Sequence, residues 1–428
     1  MNCRYCVIIC IVFNSLQVFM KSVKVRLELN NKQTTLARKH AGTGRFAYNW
    51  GLAKSQELIA NGGKRPSGID LHKLWVAEVK VEKEWTYEVS KCSPQQAFRN
   101  LDEAFKRVFK VKGVKSPKFK KKGIKDSFYL EGAIKVDGTR IKLPKFGWLK
   151  LSEKVETCEV KNVVISRHAT HWFVSFKVEH QPNMTPKIRE KIGVDVGIKT
   201  LATMSDGNET PAVRAYRKYL RKLKKAQRQV SKKFVKGVKK QSNNYYKAKK
   251  KVAKIYYKIA CLRRDALHKL TSQLAKNHGE IMIEDLNVKG MSKNHKLASA
   301  ILDGGFYEFR RQLEYKASWY GAKVTVANRY YPSSKMCSNC GNIKEILSLA
   351  ERIYKCEVCH LEINRDLNAA INLENYSENS PVSYTGSLAF KTKACGVSSQ
   401  PKAQGLRDTM KQEVNSKSDN VQICVGLA

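Results

Sequence analysis

The chain has 428 residues, of which 81 are Lys or Arg and 37 are Asp or Glu, so its formal charge is +44. A charge of this size excludes an ordinary enzyme of small neutral metabolites and indicates a polyanionic partner, for which nucleic acid is the best candidate. Hydrophobic residues make up 42% of the sequence. That share is enough for folded domains, and no apolar stretch is long enough to span a membrane.

Residues 1–19 differ from the rest of the chain. A short apolar run, 6–13, has only Arg4 before it and no small-x-small cleavage site after it, so it does not indicate a secretory signal. An alternating strand begins at Met20, and we expect residues 1–19 to be a dispensable extension. Most of the twelve cysteines are scattered, which favours reduced thiols in a cytoplasm over a disulfide framework.

Region 20–185 is predicted to be a small β-barrel interrupted by a helical insertion at about 32–112, with nucleic acid as its ligand. We expect the last insertion helix to be capped by Ser93, with Pro94 at its first helical position. Apolar periodicity predicts helices over 33–60, 69–84 and 94–111.

A basic loop and a set of strands come after the helical insertion. Loop 115–125 places Phe119 among six lysines, and an aromatic side chain in such a loop can stack on a base. The alternation of apolar and polar residues over 128–180 predicts short strands, with turns at 137–138 and 146–147.

Region 186–375 is predicted to be an α/β domain because strands and helices alternate along it. A strand, a glycine turn and a second strand are predicted over 191–203. A long helical hairpin is predicted over 212–278, with a break near Gly237 and dense Lys and Arg on its outer faces. Further elements are predicted at 280–286 (strand), 304–320 (helix), 322–327 (strand) and from about Asp366 (helix). Residues 376–428 are predicted to be a disordered tail.

Four cysteines have the spacing of a metal-binding module. Two CxxC pairs, Cys337 with Cys340 and Cys356 with Cys359, are separated by fifteen residues. This spacing predicts a tetrahedral zinc site closed by four thiolates, which has no open coordination position and is therefore structural.

Three acidic residues lie in apolar surroundings. Asp195 lies within a strand, Glu284 ends another strand, and Asp366 begins a helix. Each could be an ordinary turn, strand-end or helix N-terminal acid. Together they could instead bind divalent cations, which would offset the cost of burying carboxylates.

Five segments, in this order, resemble the motif set of the TnpB/OrfB family, transposon-encoded proteins related to type V CRISPR effectors. The resemblance runs from about residue 20 to residue 373. The segments are FAYNW at 46–50, VDVGIK at 194–199, IEDLNVKGM at 283–291, SSKMCSNCG at 333–341 and NRDLNAA at 364–370.

The resemblance implies an α/β fold: an RNase H-like (RuvC) nuclease domain with an inserted four-cysteine zinc module at 333–362, preceded by the small β-barrel with its helical insertion. It implies that Asp195, Glu284 and Asp366 are the catalytic acids and that they bind Mg²⁺, two ions in the expected mechanism. It also implies a transposon-derived guide RNA and a DNA target as partners. The family often has Asp where this chain has Asn364, which is not a catalytic match.

Two other functions remain open on sequence. One is a nuclease-inactive DNA- or RNA-binding protein that regulates its transposable element. The other is a transposase that itself performs strand transfer with three acids. Transposases that use a histidine-hydrophobic-histidine metal motif are excluded because none of the nine histidines has that spacing.

Overall fold

The computed structural model describes residues 19–123, 126–181, 183–238, 240–348 and 350–377. The expected extension, apart from residue 19, and nearly all of the expected tail therefore lie outside the described residues. None of the helices in the described ranges combines the length and the apolar character needed to cross a membrane.

The first sheet is antiparallel and four-stranded. Its strands are β1 (Phe19–Glu28), β2 (Ser127–Leu143), β3 (Gly147–His168) and β4 (His171–His180). Their order is β1-β4-β3-β2, and the end of β1 also pairs with the start of β3, at Leu27 with Leu151. Because β1 contacts β3 as well as β4, the sheet curls around a core that includes Leu130, Ile141 and Val163.

The predicted short strands over 128–180 were wrong in length. The sheet uses strands of 17 and 22 residues instead. The pair 137–138 does not form a hairpin turn, because register shifts around Gly138 mark a bulge within β2, where this glycine has φ +57°. A bulge bends a long strand without ending it. The chain does turn before Gly147, where the Phe146 amide donates to the Leu143 carbonyl.

Four α-helices lie between β1 and β2. They are α1 (Asn31–Ala60), α2 (Gly68–Leu74), α3 (Lys80–Glu82) and α4 (Cys92–Lys110). A π-helical turn, Trp75–Val79, joins α2 to α3, and a 3₁₀ turn covers Glu84–Glu88. Asn30 and Gln33 form a capping box at the start of α1. The predicted Ser93 cap was wrong: α4 begins at Cys92, two residues before Pro94, so Ser93 lies inside the helix, and its buried hydroxyl has no hydrogen-bond partner within the described residues.

His40 joins α1 to both the sheet and the segment before α4. Its ring is fully buried, with centroids 4.9 Å from Phe128 and 5.0 Å from Phe146. Nδ1 lies 2.9 Å from the Leu36 carbonyl, while Nε2 accepts from the Ser90 amide at 3.0 Å. Because Nε2 must accept, Nδ1 carries the proton and the ring is neutral.

The second sheet has five strands in the order β7-β6-β5-β8-β9. They are β5 (Arg189–Asp195), β6 (Thr200–Met204), β7 (Glu209–Pro211), β8 (His278–Glu284) and β9 (Lys323–Ala327). Strands β5, β8 and β9 run parallel, while β6 and β7 are antiparallel to their neighbours. Parallel strands joined by helices make this part of the chain α/β, as predicted.

Helices connect and cover the second sheet. They are α5 (Ala215–Lys232), α6 (Asn243–Asn277), α7 (Val288–Met291), α8 (Ala298–Gly304), α9 (Phe306–Tyr320) and α10 (Arg365–Glu374). Leu267 of α6 and Leu313 of α9 are buried in one core with Ile192 of β5 and Ile281 of β8. Between β9 and α10 a two-stranded ribbon forms from β10 (Ile353–Lys355) and β11 (Glu362–Asn364).

Because His40 is buried in its neutral form, we expect the stability of the helical insertion to depend on pH. Burial, reinforced by the Lys145 charge, lowers the pKa of His40 from 6.5 to about 4. Between these values the unfolded chain binds the extra proton, so stability is complete above pH 6.5 and falls as the pH drops toward 4. The slope should be about 1.4 kcal/mol per pH unit. Hydrogen exchange of α1 and of residues 90–98 should show protection falling over this range.

The control for this prediction is the variant His40→Gln, which cannot titrate. Its protection should change less with pH than that of the wild type, after correction for the intrinsic exchange rate. Equal pH slopes for the two proteins would show that His40 does not titrate in this way.

Candidate active site

Two of the predicted acids lie at the same edge of the second sheet. Asp195 is the last residue of β5 and Glu284 the last of β8. The parallel register pairs Val194 with Ile283, so the acids that follow them are neighbours. The carboxyl ends of parallel strands are where open α/β sheets form their sites.

A close approach of helix and strand brings the third acid to this edge. A Cβ on Gly193 would lie 1.9 Å from the Ala370 carbonyl oxygen and 2.5 Å from the Glu374 amide nitrogen, so only glycine lets α10 cross β5 here. Asp195 is two residues further along the same sheet face. Asp366 is one helical turn before Ala370. The crossing therefore places Asp366 near Asp195.

The electrostatics agree with this geometry. The pKa of Asp195 is raised well above its ordinary value, first by burial and then by the negative charges of Glu284 and Asp366. Burial also raises the pKa of Glu284. All three residues keep partial exposure to solvent. The predicted acids thus form one cluster of mutually repelling carboxylates that water can reach.

Two residues to which the sequence assigned no role face this cluster. The charge of Arg365 lowers the pKa of both Asp195 and Glu284, while its guanidinium donates to the Ser348 carbonyl at 3.1 Å. The hydroxyl of Ser333 donates to the Glu284 carboxylate. Their only signal was position, since each lies in a family-like segment that also contains an assigned residue, Cys337 for Ser333 and Asp366 for Arg365.

Asn364 has a local structural role at the start of α10. Its side-chain oxygen accepts from the amides of Asp366 at 2.8 Å and Leu367 at 3.3 Å. Asn and Asp are about equally good N-caps. The departure from the family pattern at this position therefore leaves the helix that carries Asp366 capped.

The four cysteines also meet. The sulfur atoms of Cys337, Cys340, Cys356 and Cys359 all lie within 4.8 Å of one another. Within the described ranges this is the only group of three or more such ligands so close together, and the carboxylates are therefore spread more widely. A four-thiol cluster suits one tetrahedral zinc ion, whereas a wider carboxylate cluster suits ions shared between ligands.

Basic surface surrounds the junction between the first sheet and α6. A groove of about 310 Å³ there is lined by Arg26, Arg38, Arg167 and Lys250, among others. Part of the predicted basic loop is held against α1, since Asn49 exchanges two hydrogen bonds with the Lys120 backbone, at 2.7 and 3.0 Å. Phe119 beside it stays 53% exposed.

Comparison with known proteins finds relatives that match most of the chain. A chain of Escherichia coli (strain K12), named "Putative RNA-guided DNA endonuclease InsQ", is 35% identical over 378 residues, covering 83% of this chain and 91% of that one. The chain belongs to the TnpB family. A Streptomyces pristinaespiralis member, "Putative RNA-guided DNA endonuclease", is 32% identical over 409 residues, covering 93% and 97% of the two chains.

Family models divide this TnpB-family chain into three parts. Residues 174–295 match the OrfB_IS605 model, described as a probable transposase, and residues 306–373 match the Cas12f1-like TNB domain. Among solved structures, a Cas12f1–sgRNA–target DNA complex is similar with a TM-score of 0.48 and 13% identity, covering 84% of this chain and 99% of that one.

The third match contrasts with the observed fold. Residues 20–64 match a model described as a helix-turn-helix domain. In this TnpB-family protein the same residues form β1 and the single helix α1. The strand belongs to the first sheet and pairs with β4 along nine residue pairs from 19 to 27, so this segment has no second helix with which to form that motif.

The crossing of α10 over β5 predicts a large effect of Gly193→Ala. The added Cβ meets backbone atoms that cannot rotate away, and overpacking of this kind costs about 1–3 kcal/mol. We expect a lower midpoint of chemical unfolding and a loss of any activity that needs Asp366 near Asp195.

Gly42→Ala is the matched control. Gly42 lies within α1, and the nearest neighbour of its Cβ would be Arg45 at 3.9 Å, so alanine should be neutral or should stabilise by about 0.5–1 kcal/mol. If Gly193→Ala were as stable and as active as Gly42→Ala, the close crossing would be wrong.

Proposed function

We propose that the protein is an RNA-guided DNA endonuclease of TnpB type that hydrolyses a phosphodiester of its target. The observation that carries the proposal is the convergence of Asp195, Glu284 and Asp366 at one edge of the second sheet, where its parallel strands have their carboxyl ends. The relatives support it, since two similar chains of comparable length are named as RNA-guided DNA endonucleases. A RuvC-like nuclease domain built on the second sheet is part of the proposal.

The three carboxylates fit a divalent metal ion. They are oxygen donors, the ligands that Mg²⁺ prefers. Burial, and then the negative charges of Glu284 and Asp366, raise the pKa of Asp195. Mg²⁺ bound by them, two ions in our proposal, would supply an activated water and stabilise charge on the phosphate. The chain itself holds Asp195 and Glu284 on adjacent strands, with Asp366 above them on α10. Arg365 offsets part of their charge, and partial exposure leaves the site open to a strand of nucleic acid.

We propose a structural zinc ion for the four thiols. With all four positions filled by Cys337, Cys340, Cys356 and Cys359, the ion would have no site for water and no part in hydrolysis. Its role would be to fold the segment between β9 and α10, which ends only two residues before Asp366.

The basic surfaces are proposed to bind the partners. The hairpin of α5 and α6, with its rows of Lys and Arg, and the groove beside Lys250 would hold the backbone of a transposon-derived guide RNA. The first sheet, as a barrel with its helical insertion over about 32–112, and the loop carrying Phe119 would contact DNA. Charge of this kind does not read sequence, so the guide would select the target by base pairing.

Removing one acid should separate cleavage from binding. Asp195→Ala, Glu284→Gln and Asp366→Asn should each lower Mg²⁺-dependent cleavage at least about 10³-fold, because each removes a metal ligand. Affinity for nucleic acid should remain near that of the wild type, since phosphate attraction comes from the cations. Glu190→Gln, an exposed acid on the same strand as Asp195, is the control and should cleave normally. Near-wild-type cutting by any of the three variants would remove that residue from the site.

Guidance is tested by changing the RNA alone. Protein loaded with an RNA whose guide segment has been redesigned should cut at the newly complementary DNA sequence, provided any required flanking motif is present. RNA-free protein should bind DNA without cutting at a defined site. Cutting at the original position without RNA would contradict guidance, joining of strands would indicate a transposase, and binding without any cutting would indicate an accessory protein.

A further inference from the structure

The segment that leads from β9 into the cysteine module contacts the acidic cluster through one side chain. Ser333 is only 3% exposed, and its hydroxyl donates to Oε1 of Glu284. The next residue, Ser334, has the same hydroxyl but is less buried, and its side chain makes no hydrogen bond within the described part of the chain. Of these two adjacent serines, one alone is directed at the acid.

Helix α10 holds the backbone of this segment in place. Nδ2 of Asn372 donates to the Ser333 carbonyl at 2.8 Å and to the Met336 carbonyl at 2.7 Å. Nδ2 of Asn368 donates to the same Met336 carbonyl at 2.7 Å, and its Oδ1 accepts from the Ser338 amide at 3.0 Å. Asn368 and Asn372 are both buried, with exposures of 0% and 2%.

These contacts form one connected clamp. Asn368 and Asn372 are four residues apart, so they lie on one face of α10. Buried amides of this kind are costly unless they are hydrogen-bonded, and each of the four bonds goes to the segment from Ser333 to Ser338. Because α10 also carries Asp366, the same helix places one acid directly and reaches a second, Glu284, through Ser333.

We propose that Ser333 is a positioning residue that orients the Glu284 carboxylate for metal binding, and that Asn368 and Asn372 fix Ser333 for this task. The inference rests on the proposed metal-dependent nuclease function. Carboxylates that bind metals usually accept a further hydrogen bond that fixes their orientation, and loss of such a partner typically weakens metal binding about 10–100-fold. The start of the cysteine module is therefore part of the support of the acidic cluster.

The direct test is Mn²⁺ binding to the full-length, RNA-free protein, followed by electron paramagnetic resonance. Glu284→Gln defines the background. Ser333→Ala should weaken the Glu284-dependent binding about 10–100-fold, and Ser333→Thr, which keeps the hydroxyl, should recover most of it. The control Ser334→Ala should bind like the wild type. In the RNA-loaded complex, the Mg²⁺ concentration for half-maximal cleavage should be highest for Ser333→Ala. It should be closer to the wild-type value for Ser333→Thr and unchanged for Ser334→Ala.

A double-mutant cycle tests the clamp. If Asn372 acts through Ser333, then Asn372→Ala should weaken Mn²⁺ binding, and adding it to Ser333→Ala should cause little further loss. Asn375→Ala, an exposed residue at the end of α10, is the control. Zinc content by elemental analysis shows whether each variant retains a folded cysteine module, so that a binding loss is not confused with unfolding.

The outcomes separate the two proposals. Wild-type protein that binds no more Mn²⁺ than Glu284→Gln would overturn the metal site and with it the role of Ser333. Clear wild-type binding that Ser333→Ala leaves unchanged would overturn the positioning role alone. Additive losses in the cycle would overturn the link through Asn372.

Discussion

The repulsion among three carboxylates is the constraint on which the rest of the site depends. Asp195, Glu284 and Asp366 come from a strand, a second strand and a helix. Left in water these side chains would separate, and burial near one another raises the pKa of Asp195. Such an arrangement lasts only if the surrounding structure fixes each group more strongly than repulsion separates them.

The fold meets this requirement with close backbone packing and a few polar bonds. Gly193 lets α10 approach β5 to the distance of backbone contact. This close approach determines how near Asp366 lies to Asp195. Asn364 caps the same helix, and the Ser333 hydroxyl donates to the Glu284 carboxylate. Arg365 supplies one nearby positive charge, yet it also donates to two carbonyls of the loop before β10, so its position is fixed by bonds outside the acidic cluster.

Features with a strong local cause in the sequence could be predicted from it. The two CxxC pairs predicted a cluster because their spacing suits a single ion, and the structure brings the sulfurs together. The acids at the ends of apolar strands were predicted because buried charge needs compensation, and the structure gathers them. Strand and helix alternation predicted the α/β character of the second sheet.

Features that depend on tertiary contacts could not be predicted from the sequence. Gly138 resembles a hairpin turn locally, but pairing with β3 continues past it and converts the turn into a bulge. Ser93 has the chemistry of a cap, yet α4 begins at Cys92, two residues before the predicted first helical residue Pro94. Ser333 is one of two adjacent serines, and only the fold shows which of them meets Glu284. For Gly138 and Ser333, a partner distant in sequence decides between the local alternatives.

The proposed binding of Mg²⁺ by the three repelling carboxylates can be tested through the thermal stability of the protein. Thermal unfolding of wild type and Asp195→Asn should be compared at one pH near 8, with zinc retained, with and without Mg²⁺. Without Mg²⁺ the variant should melt at the higher temperature because it lacks one repelling charge. Added Mg²⁺ should raise the midpoint of the wild type and change that of the variant little. A variant that is less stable without Mg²⁺, with equal shifts of both proteins when Mg²⁺ is added, would contradict the account.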